Sequence, residues 1–139
     1  MAGYSGTPLP QKLGIKPGFR LALVSAPPTF AKTLGKLPEG VKSGPLGRTK
    51  EAFEVVVAFF DAEADFKRQL PQLERAILPA GSIWIAWPKR ASGVPTDMTE
   101  DVVRKHALPR GLVDNKVCAI DETWSGLRLV VRLENRPKR

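Results

Sequence analysis

The residues best suited to chemistry in this chain stand at the ends of apolar runs. Ser25 follows Phe19–Val24 (FRLALV), Asp61 follows Phe53–Phe60 (FEVVVAFF), and Lys89 and Arg90 follow Ser82–Pro88 (SIWIAWP). Asp121 closes the run from Lys116, and Trp124 and Ser125 sit in the turn behind it. In an open α/β sheet ligands bind outside the carboxyl ends of the strands, so these residues are expected to share one edge, with the loop Lys89–Met98 over them. Carboxylates, two cations, hydroxyls and an indole suit a small anionic or aromatic ligand. In an enzyme, Asp61 or Asp121 would be the acid or base and Lys89 or Arg90 would orient charge. Each also has a structural role open to it: Asp61 as a helix cap, Trp124 as a hairpin plug, Lys89 as a surface cation.

Other constellations are weaker. His106 is the only histidine, which excludes multi-histidine metal sites and a Ser-His-Asp triad with a spare base. Its place near a helix end suits interaction with the helix dipole. Asp97, Glu100 and Asp101 read as capping residues, since adjacent helical positions point about 100° apart. Cys118, in an apolar run, reads as a small core residue. Ser43–Lys50 only faintly echoes a phosphate-binding loop. The sequence therefore nominates no catalytic residue, no metal site and no cofactor.

The 139 residues suffice for one domain with a sizeable core. A lone cysteine fits a reduced compartment, and no apolar stretch reaches a membrane span, so a cytoplasmic location is expected. Lys and Arg exceed Asp and Glu by 22 to 14, a net charge of +8, which favours anionic ligands or partners. The excess is dispersed along the chain. Its densest clusters, Lys89-Arg90, Arg104-Lys105 and Arg132–Arg139, are not interleaved with aromatics, so nucleic acid ranks behind a small anionic ligand or a protein partner. The oligomeric state is left open.

Glycines and prolines punctuate residues 1–18, an N-terminal arm with at most one helical turn between Pro8 and Leu13. Residues 19–134 read as a single α/β domain and 135–139 as a basic tail that the fold does not need. Phe19–Val24 is a buried strand, Thr29–Leu34 a short helix stopped by Gly35, and Gly40-Val41-Lys42 a strand remnant. Phe53–Pro88 then reads strand, helix, Pro79-Ala80-Gly81 turn, strand. Apolar runs without alternation suit parallel strands buried on both faces. Phe66, Leu70, Leu73 and Ile77 form one helical stripe, with a break expected where Pro71 interrupts. Thr99 should cap a helix to Ala107. Lys116–Asp121 and Leu127–Leu133 should form a terminal hairpin, the second arm with one buried and one wetter face.

The block FEVVVAFF, a helix and ERAILPAGSIWIAWP resembles the middle of a class I methyltransferase domain, and the closing hairpin resembles that fold's antiparallel last strand. The resemblance implies a compact three-layer Rossmann-like sheet, mostly parallel, with a C-terminal antiparallel strand. In that family a glycine-rich loop after the first strand receives S-adenosylmethionine; here the position reads Ser25-Ala26-Pro27-Pro28, and no glycine lies between Gly18 and Gly35. Binding of S-adenosylmethionine is therefore not expected. The segments YSGTPLPQKLGI, WPKRASGVPTDMTEDVVR and GLVDNKVCAIDETWSGLRLVVR resemble a family of small bacterial proteins grouped as a domain of unknown function, which implies a bacterial cytoplasmic protein and supplies no catalytic residues. The expectation is a non-catalytic binding or regulatory module. Its alternatives are an enzyme on a small anionic substrate, a degenerate methyltransferase and, last, a nucleic-acid binder.

Overall fold

A computed structural model describes residues 7–46 and 52–135. The arm forms one helical turn, α1 (Leu9–Lys12), in which Pro10 needs no amide donor. There follow β1 (Arg20–Val24), α2 (Phe30–Leu34) and β2 (Lys42–Gly44). Next come β3 (Phe53–Phe59), α3 (Glu63–Ala76), β4 (Ile77–Pro88), α4 (Glu100–Ala107), β5 (Leu112–Ala119) and β6 (Trp124–Val131). Gly35 ends α2 at φ 74°, as its position predicts. The remnant strand lies two residues beyond the expected Gly40-Val41-Lys42, because Gly40 takes φ 76° and turns the chain before pairing begins. Half of the phosphate-loop echo, residues 47–50, and all but the first residue of the basic tail, 136–139, fall outside the described residues.

The strands form one six-stranded sheet in the order β2-β1-β3-β4-β6-β5. β1 to β4 are parallel, and β6 runs antiparallel between β4 and β5. Side chains of β3 alternate between two layers of core. Val56, Ala58 and Phe60 meet Phe66, Leu70 and Leu73 of α3 and Val103 of α4. Val55, Val57 and Phe59 meet Leu13 and Ile15 of the arm and Phe30 and Leu34 around α2. This three-layer α/β arrangement is the one expected from the unalternating runs.

Three local readings need correction. α3 continues unbroken through Pro71. The missing amide would have bonded to Lys67, an exposed residue where water can serve instead, while Leu70 and Leu73 stay anchored in the core. Pro79-Ala80-Gly81 is not a turn but part of β4. Pairing with β3 jumps there from Phe53↔Ile77 to Val55↔Ser82, a bulge that tolerates a proline. The terminal hairpin is tighter than expected, and Trp124 and Ser125 begin β6 instead of lying in its turn. Oδ1 of Asp121 accepts from the amides of Thr123 and Trp124 at 2.8 and 2.7 Å and closes the chain within that span. Because β6 is an inner strand, Arg128 on its wetter face is only half-exposed.

α3 and α4 are joined through one carboxylate. Glu63 Oε2 lies 2.7 Å from His106 Nε2 and 3.1 Å from Lys105 Nζ, and the His106 ring stands edge-on to Phe66. His106 thus pairs with a side chain of α3, a partner that helix-end position did not suggest. Its hydrogen bond, followed by that of Lys105, holds the Glu63 carboxyl below the usual carboxylate range. A carboxyl lowered on folding contributes stability above that range and loses it as pH falls through the folded value. Glu63→Gln should therefore be less stable than wild type at neutral pH, with the gap closing in acid. Thermal melts from pH 7 to pH 3 measure this, and a constant gap would show that the pair carries no linkage.

Candidate functional site

The carboxyl ends of β1, β3 and β4 lie along one sheet edge, and the reversal into β6 brings Trp124 there as well, opposite Pro88. A hollow of about 320 Å³ opens at this edge, lined by Ser25, Pro27, Phe59, Phe60, Asp61, Asp65, Gln69 and Trp124. Its floor is aromatic. The Trp124 indole stands edge-on to Phe59 with ring centroids 5.1 Å apart, and Phe59 meets Phe30 at 4.8 Å.

Ser25 is the only described non-glycine residue with positive φ, at 55°. That left-handed conformation costs roughly 1–2 kcal/mol in an L-residue and recurs at functional sites. It carries the chain from β1 toward Pro27, whose carbonyl accepts from Phe30 at 2.9 Å.

Asp61 is exposed, and its carboxylate has no hydrogen-bond or ionic partner among the described residues. It does not cap α3: Ala62 holds that position, and Asp97 Oδ1 reaches over from the loop to accept from Glu63 N at 2.7 Å. The Asp61 carbonyl accepts from Thr96 Oγ1 at 2.6 Å. Asp97 is thus an end cap, as its acidic cluster suggested, but of a different helix. Thr99 caps α4 as expected, with Val102 N donating to Oγ1 at 3.1 Å, and Glu100 pairs with Arg104 at 2.7 Å.

The remaining candidates lie elsewhere. Lys89 binds the hairpin through its amide, which donates to Thr123 O at 2.7 Å. Arg90 opens a single 3-10 turn, Arg90–Ser92, and lines a second hollow of about 480 Å³ with Trp87, Met98, Thr99 and Glu100. Met98 anchors this loop in the α3–α4 layer, whereas Trp124 packs in the opposite layer. Strand alternation turns Ser125 away from Trp124, since Gly126, two residues on, faces Trp84 and Ile120. Asp121 spends one carboxylate oxygen on the hairpin amides. The edge therefore holds Ser25, Asp61 and Trp124 in one hollow and the two cations, Asp121 and Ser125 outside it.

Phe59, Asp65 and Gln69 complete the lining and were not singled out from the sequence. The helical signal was present: Asp61, Asp65 and Gln69 recur every four residues, one stripe beside the buried Phe66 and Leu70. Cys118 is buried in the α1–α2 layer. Burial pushes its thiol up, as a core role predicts, with Lys12, Lys116 and Lys89 pulling the other way. Among the described residues no group of three or more His, Cys, Asp or Glu could hold a metal, and no helix is long and apolar enough to cross a membrane.

No protein-family model matches this chain, and no curated protein matches it. Solved structures do. Ribosomal protein L11 methylase from Lactobacillus delbrueckii subsp. bulgaricus superposes with a TM-score of 0.60 at 12% identity, covering 89% of this chain and 75% of that one. A SAM dependent methyltransferase from Aquifex aeolicus gives 0.58 at 14% identity, covering 87% of each chain. Magnesium protoporphyrin IX methyltransferase from Synechocystis PCC 6803, with bound SAM, gives 0.59 at 8%, covering 88% of this chain and 74% of that one. At these identities the likeness is one of fold: the chain has the mixed, mostly parallel Rossmann-like sheet of class I methyltransferases.

Proposed function

We propose that this chain is a non-catalytic binding or regulatory module whose small ligand occupies the hollow formed by Ser25, Asp61 and Trp124. The observation that carries the reading is the Asp61 carboxylate, without a partner among the described residues, above an aromatic floor at the strand ends. Asp65, also in the lining, is occupied by Arg68 at 2.8 Å. An anionic ligand was expected on the strength of Lys89 and Arg90, neither of which lines this hollow. Its own chemistry favours a flat ligand bearing N–H donors or a positive charge, held by Asp61 and packed on Trp124. Membership of the small bacterial family resembled by the three quoted segments belongs to the same reading.

S-adenosylmethionine is the second candidate, because structures of this fold bind it. The residues after β1 do not fit it. Pro27 and Pro28 lack amide donors, Pro27 gives its carbonyl to Phe30, and the side chain of Ser25 stands where glycine would let a ligand approach the backbone.

A thermal-shift screen with aromatic amines, nucleosides and S-adenosylmethionine tests both. A ligand at 100 times its Kd should stabilise the fold by about 2.7 kcal/mol. At least one aromatic amine or nucleoside should do so, and Asp61→Asn, an exposed change, should weaken its binding about tenfold without lowering the melting temperature. Binding untouched by Asp61→Asn, or no shift from any member of either class, would overturn the site. Micromolar S-adenosylmethionine binding in calorimetry would replace the reading with a methyltransferase.

A further inference from the structure

We infer that the sheet face covered by α1 and α2 binds the phosphate backbone of a nucleic-acid duplex. The cationic excess, though it forms no dense cluster, falls mainly in the first part of the chain. Residues 1–50 contain eight Lys and Arg against one acid, Glu39, whereas residues 51–135 contain eleven against thirteen. On the α3–α4 face, four of the six cations of α3, α4 and the turn after it are paired: Lys105 with Glu63, Arg110 with Glu74, Arg68 with Asp65, and Arg104 with Glu100 and Asp114. Among the described residues of the first half, Arg20 pairs with Glu54 and the other cations are lysines.

These lysines form a band across the sheet. Lys32 and Lys36 stand on and just after α2, over β1 and β3. Lys12 and Lys16 stand at and beyond the end of α1, over β4, and Lys116 stands on the edge strand β5. Lys16, Lys32, Lys36 and Lys116 are exposed. Lys116 Nζ donates to Lys12 O at 3.2 Å, so the edge strand and the end of α1 bring these two residues of the band together. A six-stranded sheet is roughly 24 Å across, the length of about seven base pairs.

Composition selects the duplex over a single strand. Of the large rings of this layer, Trp84, Phe30 and Phe59 are at most 3% exposed, and the half-buried Phe19 and Trp124 stand at opposite edges of the sheet, before β1 and opposite Pro88, so no row of rings runs along the lysines to stack on successive bases. Among the described residues the exposed cations of this face are lysines, which supply point charges for phosphates and no fork for reading guanine. The binding should therefore be independent of base sequence.

Fluorescence anisotropy of the full chain with a labelled mixed-sequence duplex of about 24 base pairs tests this. For roughly five phosphates neutralised, log affinity should fall against log salt with a slope of about −4 to −5, a loss of several hundred-fold between 50 and 200 mM. Lys32→Glu with Lys36→Glu should weaken binding at least about tenfold at fixed salt, and Lys116→Glu, on another element, should weaken it in the same direction. Lys67→Glu with Arg75→Glu, exposed on α3, changes net charge as much as the first pair and should matter less than about threefold. Melting temperatures near wild type would show that the folds are retained. Equal losses from both pairs, a slope shallower than about −2, tighter binding of the single strand, or equal competition by polyglutamate of matched charge would each overturn the proposal.

Discussion

Trp84→Ala is expected to destabilise the fold by about 3–5 kcal/mol, as large aromatic truncations in cores do. Trp84 is 0% exposed, at the centre of β4 between Val57 of β3 and Arg128 of β6. Its Nε1 donates to the carbonyl of Leu13 at 2.9 Å, a buried bond that ties the N-terminal arm to the sheet. The alanine variant should therefore lose both a packed ring and the docking of the arm. Trp84→Phe separates the two effects: it keeps most of the ring but leaves the Leu13 carbonyl without its donor, at a cost of about 1–3 kcal/mol. Urea unfolding gives the stabilities, and limited proteolysis after Leu13 reports the arm. Resistance to cleavage equal to wild type in both variants would show that the arm docks without the indole.

Gly81→Val should be nearly as damaging, at about 3 kcal/mol, near the upper end of overpacking costs. A Cβ on Gly81 would lie 3.0 Å from the carbonyl oxygens of Glu54 and Phe53 and 3.1 Å from that of Leu78. All three are backbone atoms of the bulge where β3 meets β4, and none can swing aside as a side chain would. φ does not force glycine here; the close approach of neighbouring backbone does. Chemical denaturation measures the cost, and a loss below about 1 kcal/mol would mean that the bulge deforms.

The bulge also shows where the sequence was legible. Pro79-Ala80-Gly81 reads locally as a turn, because nothing in those residues reports the pairing of Phe53 with Ile77 that draws them into a strand. Pro71 misleads for the same reason: its local cost is outweighed by the burial of Leu70 and Leu73 on either side. By contrast, the central unit from Phe53 to Pro88 declares its fold class directly, since unalternating apolar runs fit only a sheet covered on both faces. The edge position of Ser25, Asp61 and Trp124 followed from chain direction alone. Their separation from Lys89, Arg90 and Ser125 did not, because it depends on the face each strand residue takes and on a loop anchored by Met98. Charge was legible in part: the cationic excess of residues 1–50 can be counted along the chain, whereas the ion pairs that join α3, α4 and their neighbours appear only in the fold.

The placement of β6 has a consequence for how the chain is made. β4, among the most apolar strands in the molecule, takes its second neighbour from residues 124–130, which emerge from the ribosome long after Pro88. At about 5–20 residues per second, the roughly 40 intervening residues leave Ile83, Trp84 and Ile85 with one open hydrogen-bonding edge for seconds. During that interval the nascent chain presents the kind of flat apolar strand that pairs with other chains. Synthesis of the last strand is thus the step that removes the aggregation hazard, and ribosome pausing between Lys89 and Thr123 would prolong it.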